Sequence, residues 1–232
     1  GEKVAFTSYR NGPPNIWVVD SDGTDPVQLT HHSSQSGTPN WSPDGRWIVF
    51  DSLESGNWDL WLVSAEGGAS RQLTVEPSAE NLASWSRDGR WIYFTSDRGG
   101  KQQIWRMPAE GGKAIQITQG RGFYARESWD GRRLYYTDTH TKAGIWSVPT
   151  AGGTEVEVVP GPLPMFHDFA LSRSGIYYVT HSTPPGTAYG LTATVHFFDF
   201  ASGQPTELQE LYELPVEHRP LDLYAALAEV AR

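Results

Sequence analysis

Short apolar runs recur along the chain, each bounded by polar turns: VAFT from Val4, IVFDS from Ile48, IYFTS from Ile92, LYYTD from Leu134 and IYYVT from Ile176. In RWIVFDS the residues Trp47, Ile48, Val49 and Phe50 are apolar without alternation, the pattern of a strand covered on both faces. A second set of landmarks keeps the same phase. Ile16-Trp17, Leu60-Trp61, Ile104-Trp105 and Ile145-Trp146 follow one another at steps of 44, 44 and 41 residues, with a degenerate fifth copy in VHFFDF from Val195. The stretch WSPDGRWIVF, Trp41 to Phe50, returns 44 residues later as WSRDGRWIYF, Trp85 to Phe94. Self-similarity at such a period marks a repeat architecture.

Turn residues divide each repeat. Asp44-Gly45, Asp88-Gly89 and Asp130-Gly131 lie between apolar runs and predict two-residue hairpin turns, for which they supply positive φ. SDG at Ser21, AEGG at Ala65 and Ala109 and AGG at Ala151 precede the short runs VQLT, RQLT, IQIT and EVEVV. Each unit thus reads strand, Asp-Gly turn, strand, loop, strand, Gly-Gly turn, strand. Four antiparallel strands per repeat of this length predict an all-β fold, a β-propeller whose small sheets pack face to face around a channel. About five blades are expected in this fragment, at 1–30 (partial), 39–74, 83–118, 126–160 and 167–208 (degenerate). Gly1 aligns with Gly45 and Gly89, so the chain is expected to open mid-blade. In the non-repeat tail, 209–232, Leu223, Leu227 and Val230 follow Asp222 at helical spacing and suggest a short amphipathic helix.

Eight of the ten tryptophans fall in the repeated frames: Trp17, Trp61, Trp105 and Trp146, Trp41 and Trp85, Trp47 and Trp91. A large ring recurring at one place in every blade is expected to pack between blades. Trp58 and Trp129 are off the pattern. The 232 residues are 38% hydrophobic, and 18 basic against 27 acidic residues give a net charge of −9. No basic patch stands out, which disfavours nucleic acid as a ligand of this segment. Without cysteine there is no disulfide or thiol chemistry, and no apolar run approaches the ~18 residues of a membrane span.

The units FTSDRGGKQQIWRMPAEGGKAIQIT (Phe94 to Thr118) and IWVVDSDGTDPVQLT (Ile16 to Thr30), with WSPDGRWIVF, resemble the repeats of TolB-like propellers, whose blades carry a Pro-Asp-Gly turn and a Ser-Asp-Arg-x-Gly loop. The resemblance covers about 1–160 well and 167–208 poorly. It implies a non-catalytic protein-binding or sensory domain, like the periplasmic partner in the Tol-Pal envelope system or the sensor propellers of bacterial winged-helix regulators and serine/threonine kinases. It also implies a periplasmic or other extracytoplasmic location. Similar repeats occur in a histidine- and metal-using lyase acting on oligogalacturonides and in the gating propellers of prolyl oligopeptidase-like enzymes, which supply the enzymatic alternative.

In a four-stranded blade, the loop between second and third strands and the loop into the next blade emerge at the same end. Both sets are therefore expected around one mouth of the channel. The former carry Arg10, Trp58, Asp97 and Arg98; the latter carry Arg121, Phe123, Tyr124, Arg126, Phe166 and His167. Aromatic residues with arginine form the profile of a protein-binding surface, and a polar channel mouth is also where small ligands dock. A protein partner is therefore expected and a small-molecule ligand is the second candidate. Asp97 also has an architectural reading, as a loop cap. His31, His32, His140 and His167 lie in loops without diagnostic spacing, and no metal or cofactor is expected. DSDGTD at Asp20 lacks the later ligands of a calcium loop. GRGFYA at Gly120 precedes a strand instead of opening a helix, which rejects the dinucleotide reading.

Overall fold

The computed structural model describes residues 2–138, 143–161, 169–182 and 192–211. These form nineteen strands in five antiparallel sheets, with no helix among the described residues. The first sheet has three strands, β1 (Lys3–Ser8), β2 (Asn15–Asp20) and β3 (Val27–Gln28). The second has β4 (Ser36–Trp41), β5 (Trp47–Ser52), β6 (Asp59–Ser64) and β7 (Arg71–Gln72), and the third β8 (Glu80–Trp85), β9 (Trp91–Ser96), β10 (Gln103–Pro108) and β11 (Ile115–Gln116). The fourth has β12 (Phe123–Glu127), β13 (Arg133–Asp138), β14 (Gly144–Pro149) and β15 (Val156–Pro160). The fifth has β16 (Phe169–Leu171), β17 (Gly175–Ser182), β18 (Thr192–Asp199) and β19 (Gln204–Leu211). Strands pair in chain order within each sheet, as propeller blades do. The helix expected between Asp222 and Val230 lies outside the described residues.

The core lies between blades, and this explains the unbroken apolar runs. Ile48 and Phe50 of β5 pack with Ile16, Val18 and Leu29 of the first sheet. Val49, between them, faces the other way and joins Ala83, Ile92, Phe94 and Met107 of the third. The same division recurs further on, where Tyr93 and Ile104 meet Leu134 and Tyr136, and Tyr135 and Ile145 meet Ile176 and Tyr178. Most repeat tryptophans join these clusters, including Trp41, Trp61, Trp85, Trp105 and Trp146. Trp47 does not: it is 40% exposed, whereas Trp91, at the same place in β9, packs against the cluster of the third and fourth sheets. Each outer strand of the first three sheets is only two residues long. The threonine that follows takes over, and Thr30, Thr74 and Thr118 accept the backbone N–H of Ile16, Leu60 and Ile104 at 2.8–2.9 Å.

The Asp-Gly turns differ from the two-residue expectation. In the first, the Gly45 N–H donates to the Ser42 carbonyl at 2.9 Å and the Ser42 N–H to the Trp47 carbonyl at 2.8 Å. Only the glycine has positive φ, at 70°. The serine and aspartate side chains hold the wider loop: Ser42 Oγ donates to Asp44 at 2.6 Å and accepts the Trp47 N–H at 2.9 Å, while Arg46 Nε reaches Asp44 at 2.6 Å. Ser86, Asp88 and Arg90 repeat the arrangement. The serine hydrogen bond, followed by the arginine's, pulls Asp44 down to about 2; at Asp88 the serine and the Arg90 backbone N–H do the same.

Candidate functional site

The innermost strands β4, β8 and β12 run the length of the channel. They begin at an end lined by loops and finish at the Ser-x-Asp-Gly turns. At the loop end the two loop sets are hydrogen-bonded together. Asn57 Nδ2 donates to the carbonyls of Glu76 and Ser78 at 2.9 and 2.7 Å. The Glu80 N–H donates to the Trp58 carbonyl at 2.7 Å, and the Gly122 N–H to the Gln102 carbonyl at 3.0 Å.

Each of these innermost strands is bulged near its start, between Gly37 and Asn40, Asn81 and Ser84, and Phe123 and Arg126. Within the bulges Thr38, Leu82 and Tyr124 adopt left-handed backbones, with φ of 44°, 55° and 49°. A bulge re-aims the side chains that flank it. Here it places Thr38, Leu82 and Phe123, with Trp58 and Gln102 from the loops, around a cavity of about 300 Å³ that opens at the mouth. Asp51 stands in its wall. The Asp51 carboxylate accepts from Thr38 Oγ1 and, at 3.1 Å, from the Leu82 N–H of the next blade. Burial raises its pKa, against the lowering effect of those two donors. Asn81 Oδ1 in the same wall is buried without a hydrogen-bond partner.

The candidate residues separate into groups. Trp58 and Phe123 share the loop-end cavity. Phe123, Tyr124 and Arg126 sit on β12 and not in a loop, because the strand starts earlier than the apolar pattern suggests. Tyr124 and Arg126 belong to a second cavity, of about 360 Å³, inside the channel with Trp41, Trp85 and Phe169. There Arg126 donates to Tyr124 Oη at 2.6 Å and lies 4.4 Å from its ring centroid, and Tyr124 meets Phe169 edge-on at 5.7 Å. Arg121 is half-buried in the connection leading to β12.

Arg10 is exposed, with its guanidinium 5.7 and 5.6 Å from the rings of Phe6 and Trp17. Asp97 caps the neighbouring connection, accepting the Ala79 N–H at 2.9 Å. Arg98 is turned inward: it pairs at 3.1 Å with Glu80, whose side chain is fully buried, and lies 5.0 Å from the Trp105 ring. Phe166 and His167, like His140, lie outside the described residues. Exposure and a recurrent position cannot distinguish an inward guanidinium from an outward one, so Arg98 read as a surface residue.

Asp51, Asn81 and Leu82 were absent from the expected site. Asp51 carried a signal, since it replaces the threonine found at the same place in three of the four other copies, Thr7, Thr95 and Thr137, where the fifth sheet has Val179. His32 lies beneath the loop end with both ring nitrogens engaged, Nδ1 with Ser52 Oγ at 2.8 Å and Nε2 with Ser70 Oγ at 2.7 Å. Burial lowers its pKa, with Glu54 opposing. Among the described residues no three His, Asp or Glu side chains converge as a metal-binding group would.

A sequence model of the TolB beta propeller domain matches residues 1–159. The Tol-Pal system protein TolB of Desulfosudis oleivorans is 36% identical over 47 residues, which are 20% of this chain and 11% of that protein. The matched stretch thus spans about a tenth of that relative's length. The crystal structure of TolB from Acinetobacter baumannii superimposes with a TM-score of 0.71 at 19% identity, covering 95% of this chain and 56% of that one. An oligogalacturonate lyase in complex with manganese gives 0.63 at 15% identity, covering 90% and 62%. At these identities the structures share the fold.

Proposed function

The chain belongs to the TolB beta propeller domain family, and from that premise we propose that it is a non-catalytic protein-binding platform, extracytoplasmic, whose partner engages the loop-end mouth. The observation that carries this reading is the cavity at that mouth. Its walls are Trp58, Leu82 and Phe123; the β9–β10 loop that supplies Gln102 to it also bears Asp97, and Arg121 lies in the connection leading to Phe123. A pocket that takes one apolar anchor within a polar rim is the usual centre of a protein interface.

The kinship with a Tol-Pal system protein supplies the first partner to try, the Pal protein of the same organism. Titration calorimetry of the wild type against Pal, followed by Trp58→Ala, tests the proposal. Trp58 holds Glu80 through its backbone carbonyl, so loss of the indole leaves that hydrogen bond in place. The variant is expected to bind at least roughly tenfold more weakly with its melting transition little changed. Unchanged affinity would show that the loop-end mouth is not the surface, and an inert wild type would remove Pal as the partner.

A further inference from the structure

The second residue of the Ser-x-Asp-Gly turn is the variable one, and the chemistry it brings is uneven. At the four turns it is Pro43, Arg87, Trp129 and Arg173, in Ser-Pro-Asp-Gly, Ser-Arg-Asp-Gly, Ser-Trp-Asp-Gly and Ser-Arg-Ser-Gly. These turns close the innermost hairpins, so all four residues stand at the channel end opposite the loops. Trp129, which lies outside the recurring tryptophan positions and is 43% exposed, is close to two guanidinia: Arg87 Cζ is 4.0 Å and Arg173 Cζ 4.8 Å from its ring. Arg126 adds a third cation from within the channel, where Arg87 and Arg126 line the same cavity of about 360 Å³.

This cluster sits in a chain of net charge −9, yet among the described residues none of its three arginines forms an ion pair. The aspartates of the same turns are already occupied, Asp44 with Arg46, Asp88 with Arg90 and Asp130 with Arg132. Glu127 lies beside the cluster, but its carboxylate accepts from Tyr93 Oη at 2.9 Å and from the Arg87 backbone N–H. The Arg87 guanidinium donates to the Glu127 backbone carbonyl at 3.4 Å. Burial first, and then the charges of Arg126 and Arg173, lower the pKa of Arg87, with Glu127 opposing. One carboxylate, Glu127, beside three guanidinia leaves the cluster with an excess of positive charge, and like charges gathered in excess are held at an electrostatic cost that an incoming anion relieves. The exposed indole also gives apolar surface beside the charged donors.

We propose that this turn end is a second docking surface, for an acidic segment of a partner protein, whose carboxylates meet Arg87, Arg126 and Arg173 while its backbone lies across Trp129. A peptide fits better than one compact anion because the three cations come from three different sheets and ring a channel mouth, matching carboxylates spaced along a chain. The surface lies at the opposite end from the mouth invoked above and stands or falls separately from it.

Hexaglutamate is the probe, with hexalysine and glutarate as comparisons, followed by calorimetry and tryptophan fluorescence at ~50 and ~500 mM salt. Hexaglutamate is expected to bind, to perturb tryptophan emission and to weaken at high salt. Arg173→Glu should reduce its affinity at least roughly tenfold, as should Arg87→Gln, with melting transitions that report an intact fold. Arg10→Glu, at the other mouth, should leave binding unchanged. Failure of hexaglutamate to bind the wild type, or indifference of its binding to Arg173→Glu in a folded variant, overturns the site. Glutarate binding as tightly as hexaglutamate overturns the peptide assignment in favour of a compact-anion site.

Discussion

Asp51 concentrates the tension of the loop end in one side chain. Its carboxyl is almost wholly buried and is held by a hydroxyl from its own blade and a backbone N–H from the next. Burial raises its pKa above the ordinary 3.8, so the folded chain holds this proton more tightly than the unfolded chain does. The stabilisation from that proton is fully present below about pH 4 and is lost as pH rises through the folded-state value. Asp51→Asn keeps an acceptor for Leu82 without the buried charge. Urea denaturation should therefore show its stability relative to wild type to be greatest near pH 7 and the gap to narrow below about pH 4. A difference independent of pH would mean that Asp51 ionises as it does in the unfolded chain. That Asp51 departs from the repeat could be read from the letters. That its partner is the backbone of Leu82 could not, because the contact needs a bulge which neither residue type announces.

The hairpins show the same division between what periodicity reveals and what it hides. The strands were legible because burial on both faces writes an unbroken apolar run, and the glycines of the turns were legible because φ near 70° favours glycine. The width of the turn was not, since it depends on a serine that Asp-Gly chemistry does not require. Ser86 is buried and makes two bonds, donating to Asp88 at 2.7 Å and accepting the Trp91 N–H at 2.9 Å. Ser86→Ala should cost about 1–3 kcal/mol by leaving the Trp91 N–H without its acceptor, measured by chemical denaturation. A loss below a few tenths would assign the turn to its backbone alone. The candidate site divides similarly: the aromatic content of the mouth was visible in Trp58 and Phe123. The bulge that separates Phe123 from Tyr124 and Arg126, and so creates two cavities instead of one face, depends on left-handed backbones at Thr38, Leu82 and Tyr124, residue types without that preference.

Every core cluster with members in two sheets joins neighbours in the chain, from the first pair, around Ile16 and Phe50, to the last, around Tyr135 and Ile176. Stability in such an array is approximately a sum of blade terms and nearest-neighbour interface terms, so damage should remain local. Ile176 is fully buried between the fourth and fifth sheets. Ile176→Ala should remove about 2–5 kcal/mol from that interface. Native-state hydrogen exchange should then show faster opening of β13, β14 and β17, while the amides of β5 and β9, locked by the interfaces around Phe50 and Phe94, keep their protection. Phe50→Ala should do the reverse, loosening β2 and β5 and sparing β17. If either substitution lowers protection equally in all five sheets, the blades open as one cooperative unit. The two channel mouths would then be coupled through the whole series of interfaces, and a partner bound at the loop end would be felt at the arginines of the turn end.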